Sequence, residues 1–325
     1  LPRTYGVDDI PVIVQDARFT GDGQLTTDTR GFIGPIGDQL LVNGTLGPSL
    51  NVTTDVVRLR LLNASAARLY NFGLSDGRDL ALIGTDGGLL ETPYETGAIQ
   101  LSPGERAEVL VRMIPGETVT LRSTPPDLGI NPMVSGMNAG NDNFDVLELR
   151  ASGTLDSAGS VPAGLVPMPR MTESDASVRR DFQLDGFTIN GEPMSMSRID
   201  EVVTVGATEL WSVTNGMSMP HSFHVHDVQF QVASIGGRPP SPDLAGWKDT
   251  VYLRPSTEYR LLMRFTDYTD PDFPYMYHCH LLWHEDQGMM GQFVVVKNGQ
   301  RAGTPPATHD QKTTQSKDGH HHDHH

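Results

Sequence analysis

Six histidines and the only cysteine of a 325-residue chain fall within the 64 residues from His221 to His284. They form two tight groups, His221-Ser222-Phe223-His224-Val225-His226 and His278-Cys279-His280, the second followed by His284 and Met289. On a β-strand successive side chains point to opposite faces. His278 and His280 would then share one face and Cys279 would occupy the other. By the same parity His224 and His226 share a face, while His221, three residues before His224, lies opposite. Two donor sets follow. One is His221, Cys279 and His284 with a methionine, where spacing alone separates Met289 from Met290 only weakly. Two imidazoles, a thiolate and a weak axial thioether suit a copper electron-transfer centre. Zinc also takes Cys and His, but Cys-x4-His-x4-Met is not a zinc-finger spacing. The second set, His224, His226, His278 and His280, has four imidazoles and no thiol, which suits a copper cluster that handles oxygen. The backbone on either side of Cys279 would join the two. A single buried His or Met is ordinarily a packed core residue, as Met217 and Met219 are expected to be. Six histidines and a cysteine sorting by parity are not.

Elements of period two must hold these residues. Short Val/Ile/Leu runs recur at 12–14, 56–62, 107–112 and 119–121, with turn clusters at Gly21-Asp22-Gly23, Asp86-Gly87-Gly88 and Ser102-Pro103-Gly104. Val57-Arg58-Leu59-Arg60-Leu61 alternates as a half-buried strand does. Further strands are expected at 202–205, 210–213, 230–233 and 258–265, and no segment carries a long, capped, 3.6-period helix. The reading is all-β, with two Greek-key sandwich or barrel domains. Their bounds are 1–152, a Ser/Gly/Ala/Pro linker at 153–172, a metal-binding domain at 173–298 and a disordered His-rich tail at 299–325. The tail is assigned no catalytic role.

Composition narrows the function classes. The net charge of −16 repels phosphate backbones and anionic membranes, which argues against nucleic acid as a partner. No apolar run reaches the ~18 residues of a membrane span. One cysteine excludes an internal disulfide framework. The first 220 residues contain no histidine, so the first half offers no imidazole to either set.

The motifs HCHLLWHEDQGMM and HSFHVH, with Gly246-Trp247-Lys248-Asp249-Thr250 between them, resemble the C-terminal cupredoxin domain of multicopper oxidases. Within that family they are most like bacterial laccase-like enzymes and the cuprous oxidase of copper efflux. IPVIVQD, VVRLRLLNAS and LSPGERAEVLV resemble the family's middle, metal-free domain, so the likeness covers about residues 1–297. Ser222 and Asp227 stand where the family pattern has Pro and Gly, and 164–200 lacks the Met-rich insert of the cuprous-oxidase branch.

The resemblance implies copper as the cofactor, with a type 1 site at His221, Cys279, His284 and Met289. His224 would correspond to a type 2 ligand and His226, His278 and His280 to type 3 ligands of a trinuclear cluster. The remaining cluster ligands would come from an N-terminal cupredoxin domain of the same parent protein. A phenolic or aromatic molecule, or a low-valent metal ion, would give electrons through Cys279, His278 and His280 to O2, which becomes water. Glu285, beside His284, is either a proton donor or outer-sphere group or an ordinary surface carboxylate. An exported, periplasmic or extracellular location follows from the same likeness. The alternative is a type 1 copper electron-transfer or copper-binding module without turnover.

Overall fold

A computed structural model describes residues 1–26, 29–30 and 33–305. The histidines from His309 onward, on which the expectation of a His-rich tail rests, lie outside the described residues.

The alternating segments of the first half build two sheets. The larger runs, edge to edge, through strands Gly88–Thr96, Leu80–Thr85, Arg106–Arg112, Val56–Asn63, Asp9–Ala17, Gln39–Val42 and Thr45–Leu46. The smaller runs through Ile99–Leu101, Tyr70–Leu74, Thr118–Thr124, Phe144–Asp156 and Ser49–Thr54. Val12, Leu59 and Val109 from one sheet meet Phe72, Leu121 and Leu149 from the other in a single apolar core. That is the two-layer solution by which sheets with one apolar face exclude water.

The second half repeats the plan. One sheet orders Thr188–Ile189, Val178–Asp185, Thr208–Asn215, Glu258–Arg264 and Phe230–Ile235. Its partner orders Glu201–Thr204, Met290–Val296, Asp270–His278, His221–Val225 and Thr250–Leu253. Phe182 and Trp211, with ring centroids 4.6 Å apart, pack between the sheets beside Phe223, Tyr277 and Phe293. Cys279 and Met289 belong to this same core. The architecture is cupredoxin-like and almost entirely β. Among the described residues the two α-helices, Pro132–Met137 and Leu282–Asp286, are six and five residues long, and no helix is long and apolar enough to cross a membrane.

Two sequence expectations shift in detail. Strand Phe144–Asp156 runs past residue 152, because Asp156 pairs with Thr54 beyond a register shift. The following segment has no regular structure up to residue 172 but is docked, with Leu165 N–H donating to Glu91 O at 2.8 Å and Met168 buried. Residues 299–305 are not free either: Gly303 N–H donates to Pro271 O at 2.8 Å and Thr304 N–H to Asp272 Oδ1 at 3.2 Å.

Candidate metal centre

Strand His221–Val225 lies between Thr250–Leu253 and Asp270–His278, and its register sets the first distances. His224 sits opposite His278 across the antiparallel pair, which brings the two rings to 5.2 Å between centroids. His226 follows the strand end and His280 lies in a bend after His278, so strict alternation does not reach either residue. Six of these residues nevertheless gather in two groups, and His280 belongs to neither. His221, Cys279 and His284 come together on one side, and His224, His226 and His278 on the other, each group with its ligand atoms within 4.8 Å of one another.

The Cys279 group is dry. His221, Cys279 and His284 are all buried, and the short Leu282–Asp286 helix turns His284 back onto the cysteine. Cys279 Sγ lies 3.7 Å from His221 Nδ1 and 3.5 Å from His284 Nδ1, and the two nitrogens are 3.0 Å apart. The centre of that triangle is about 2 Å from every corner, the length of a metal–imidazole bond. Burial and the neighbouring His284 push His221 down to about 3, so its imidazole is neutral and one ring nitrogen offers its lone pair to a cation. Burial pushes the Cys279 thiol up to about 12. His221 Nε2 is buried without a hydrogen-bond partner. Met289 is fully buried, its N–H donating to His284 O at 3.0 Å and its carbonyl accepting from Cys279 N–H at 3.1 Å. Met290 is only half-buried and begins the next strand. These residues fit a soft cation held by one sulfur and two nitrogens.

In the second group His226 Nε2 and His278 Nε2 face each other at 3.3 Å. His278 Nδ1 is 3.1 Å from the Cys279 carbonyl and 3.3 Å from Glu285 Oε2, so that nitrogen carries the hydrogen and Nε2 keeps its lone pair. Glu285 therefore contacts His278. Its hydrogen bond with His278 holds the carboxyl below its usual range, against the opposing effect of burial. Burial, with His278 and His224 nearby, pushes His226 down to about 4.

His280 stands beside this group rather than in it. Its ring lies 5.4 Å from those of His224 and His278, but its tip abuts Gly104 of the first half. Its Nδ1 is buried without a partner, an orphaned polar atom at the rim of a nitrogen-rich site. His224 and His226 line a cavity of about 830 Å³ together with Trp247, Asp249, Arg264 and Tyr275.

Several supporting residues had no such role in the sequence reading. Ser222 Oγ accepts the His280 N–H at 3.2 Å, so this departure from the family pattern ties the two histidine segments together. Asp249 and Thr250 hold His224, with Nδ1 at 2.9 Å from Asp249 O and 3.0 Å from Thr250 Oγ1. Lys248 is fully buried between Asp86 at 2.9 Å and Glu105 at 3.1 Å. Burial works against the Lys248 charge, yet the two carboxylates hold it above its ordinary range. The available signal was a lysine placed among Gly, Trp and Asp in a chain with only four lysines.

An all-β, cupredoxin-like chain with this donor set belongs to a class of copper proteins. Models described as multicopper oxidase match residues 9–119 and 166–299. The chain belongs to the multicopper oxidase family, and membership implies that it binds copper. Among solved structures it is similar to the laccase-like multicopper oxidase CueO of Ochrobactrum sp., at 32% identity and a TM-score of 0.81 over 91% of this chain and 68% of that one. It is also similar to McoA of Aquifex aeolicus, at 31% identity and a TM-score of 0.79 over 90% of this chain and 67% of that one. Curated relatives include the cell division protein FtsP of Xenorhabdus nematophila, 39% identical over 92% of this chain, and that of Salmonella typhimurium, 38% identical over 91%. The chain spans 63% of the length of each of these two relatives.

Proposed function

We propose that the chain is the type 1 copper-bearing part of a laccase-like oxidase, with His221, Cys279, His284 and Met289 as ligands. His224, His226, His278 and His280 would form one wall of a trinuclear cluster whose other histidines come from an N-terminal cupredoxin domain of the parent protein. On this reading residues 1–152 form a metal-free cupredoxin domain and 173–298 the copper domain, and the protein works outside the cytoplasm. Copper in these sites supplies one-electron redox chemistry toward a phenolic, aromatic or low-valent metal donor and reduction of O2 to water. The observation that carries the proposal is the convergence of two donor sets on either side of Cys279.

The chain's own residues have definite tasks. Cys279 is covalently continuous with His278 and His280, so one tripeptide joins both sets. The core around Cys279 excludes water and keeps the His221 imidazole neutral. Glu285 accepts the hydrogen of His278 Nδ1 and so helps to hold the orientation of that ring. The cavity beside His224 and His226 is where the missing wall would close.

A second reading has its own support, since relatives at 36–39% identity carry the name cell division protein FtsP. On that reading the chain binds copper or a protein partner without turnover. The test is copper loading with quantified metal, followed by oxygen uptake with a phenolic donor, with and without an added N-terminal domain. The oxidase reading expects an intense blue copper–thiolate band that Cys279→Ser abolishes. It also expects oxygen uptake only when the cluster is complete. A blue complex that consumes no oxygen even then would favour the second reading.

A further inference from the structure

The first half has no histidine, yet a continuous run of hydrogen bonds carries it to the histidine cluster. His224 Nδ1 lies 2.9 Å from the Asp249 carbonyl oxygen. A carbonyl only accepts, so Nδ1 carries the hydrogen and Nε2 keeps the lone pair. The Thr250 hydroxyl, 3.0 Å from the same Nδ1, donates to Asp249 Oδ1 at 2.9 Å, which leaves its oxygen to accept from His224. The Asp249 carboxylate is gripped in turn by Arg106, whose Nη1 and Nη2 each donate at 2.7 Å. Arg106 is itself fixed from its own side of the molecule. Its backbone N–H donates to Asp86 Oδ1 at 2.7 Å, Nη2 to Asp86 O at 2.8 Å and Nη1 to Gly104 O at 3.1 Å. Asp86 Oδ2 also accepts the backbone N–H groups of Asp249 and Thr250, at 3.3 and 3.4 Å.

We infer that Arg106 and Asp249 are positioning residues for His224: a guanidinium from the histidine-free half fixes the tautomer and ring angle of a histidine in the metal-bearing half. The inference rests on the reading of His224 as a copper ligand given above. A planar fork is the right group for this task, because two parallel bonds fix the plane of the carboxylate as well as its position. A lysine would hold the charge and lose the plane. Outer hydrogen-bond partners of metal-ligating histidines change metal affinity by about 10–100-fold.

The test uses the full chain with 15N-labelled histidine, His224 being assigned by its loss in His224→Gln. In the metal-free protein the His224 resonances should show a protonated Nδ1 and an unprotonated Nε2. Arg106→Gln should give a mixture of tautomers and weaken Cu(II) binding at the histidine cluster, read by electron paramagnetic resonance, by about 10–100-fold. The copper–thiolate band at Cys279 should fill as in the wild type, which separates this effect from general unfolding. Arg106→Lys should recover only part of the loss. If Arg106→Gln does not fold, Asp249→Asn, which keeps one oxygen for Arg106, should show a smaller loss of the same sign. Wild-type cluster affinity and an unchanged tautomer in a folded variant would overturn the positioning role alone. A wild-type chain that takes up Cu(II) only at Cys279 would overturn the ligand reading of His224, and this assignment with it.

Discussion

Cys279 sits in an interior that disfavours a bare thiolate, beside His221, whose imidazole the same interior keeps neutral. A bound cation resolves both conditions at once, since a coordinated thiol gives up its proton. Methionine identity was the weak point of the sequence reading at this scale, because adjacent residues cannot be told apart by spacing. Burial separates them: Met289 is enclosed in the Cys279 core and Met290 opens a strand. A weak axial thioether tunes the potential of such a centre. Met289→Leu should therefore raise the potential and Met289→Gln lower it, measured by redox titration of the blue absorption. The same changes at Met290 should move it far less. A larger response at Met290 would place the axial ligand one residue later.

At the scale of elements, much of the site was legible because it is local. A His-x-His pair shares a face for as long as its strand lasts. The four-imidazole grouping was less legible, since the strands end at Val225 and His278 and the backbone then bends. That bend turns His280 toward the Ser102-Pro103-Gly104 turn, a contact between residues 176 positions apart that no local pattern announces. Gly104 has φ +84°, and a Cβ there would lie 2.6 Å from His280 Nε2. Gly104→Ala meets both the left-handed backbone penalty and the ring. It should cost about 1–3 kcal/mol in a denaturant melt and weaken copper at the histidine cluster. The blue band should survive. Unchanged stability together with unchanged cluster copper would mean that the turn yields freely and does not back His280.

Across the whole molecule, the sandwich class and the separate cores were readable from alternation and turn chemistry. The join between the halves was not, because its polar pairs and its small apolar contacts, such as Leu69 and Leu128 against Tyr252, link residues far apart in sequence. Lys248, Asp86 and Glu105 are each almost fully buried. Removing the cation strands two acids in a dry interior, so Lys248→Met should lower unfolding free energy by about 3–5 kcal/mol. Arg254 and Asp127 also pair across the halves at 2.6 Å, but both are exposed, and Arg254→Ala should cost only about 0–1 kcal/mol. Equilibrium denaturation of the two variants checks the contrast, and equal losses would remove the special weight given to the buried triad. The same triad restricts how such a protein can change over generations. Replacing Lys248 before its acids, or the acids before Lys248, passes through an intermediate with unpaired charge in the interior, so the three positions are expected to change together. A chimera built from the metal-bearing half and a foreign first half would meet the same barrier. It would keep every copper ligand and still fail, unless the new half brought its own two acids to that lysine.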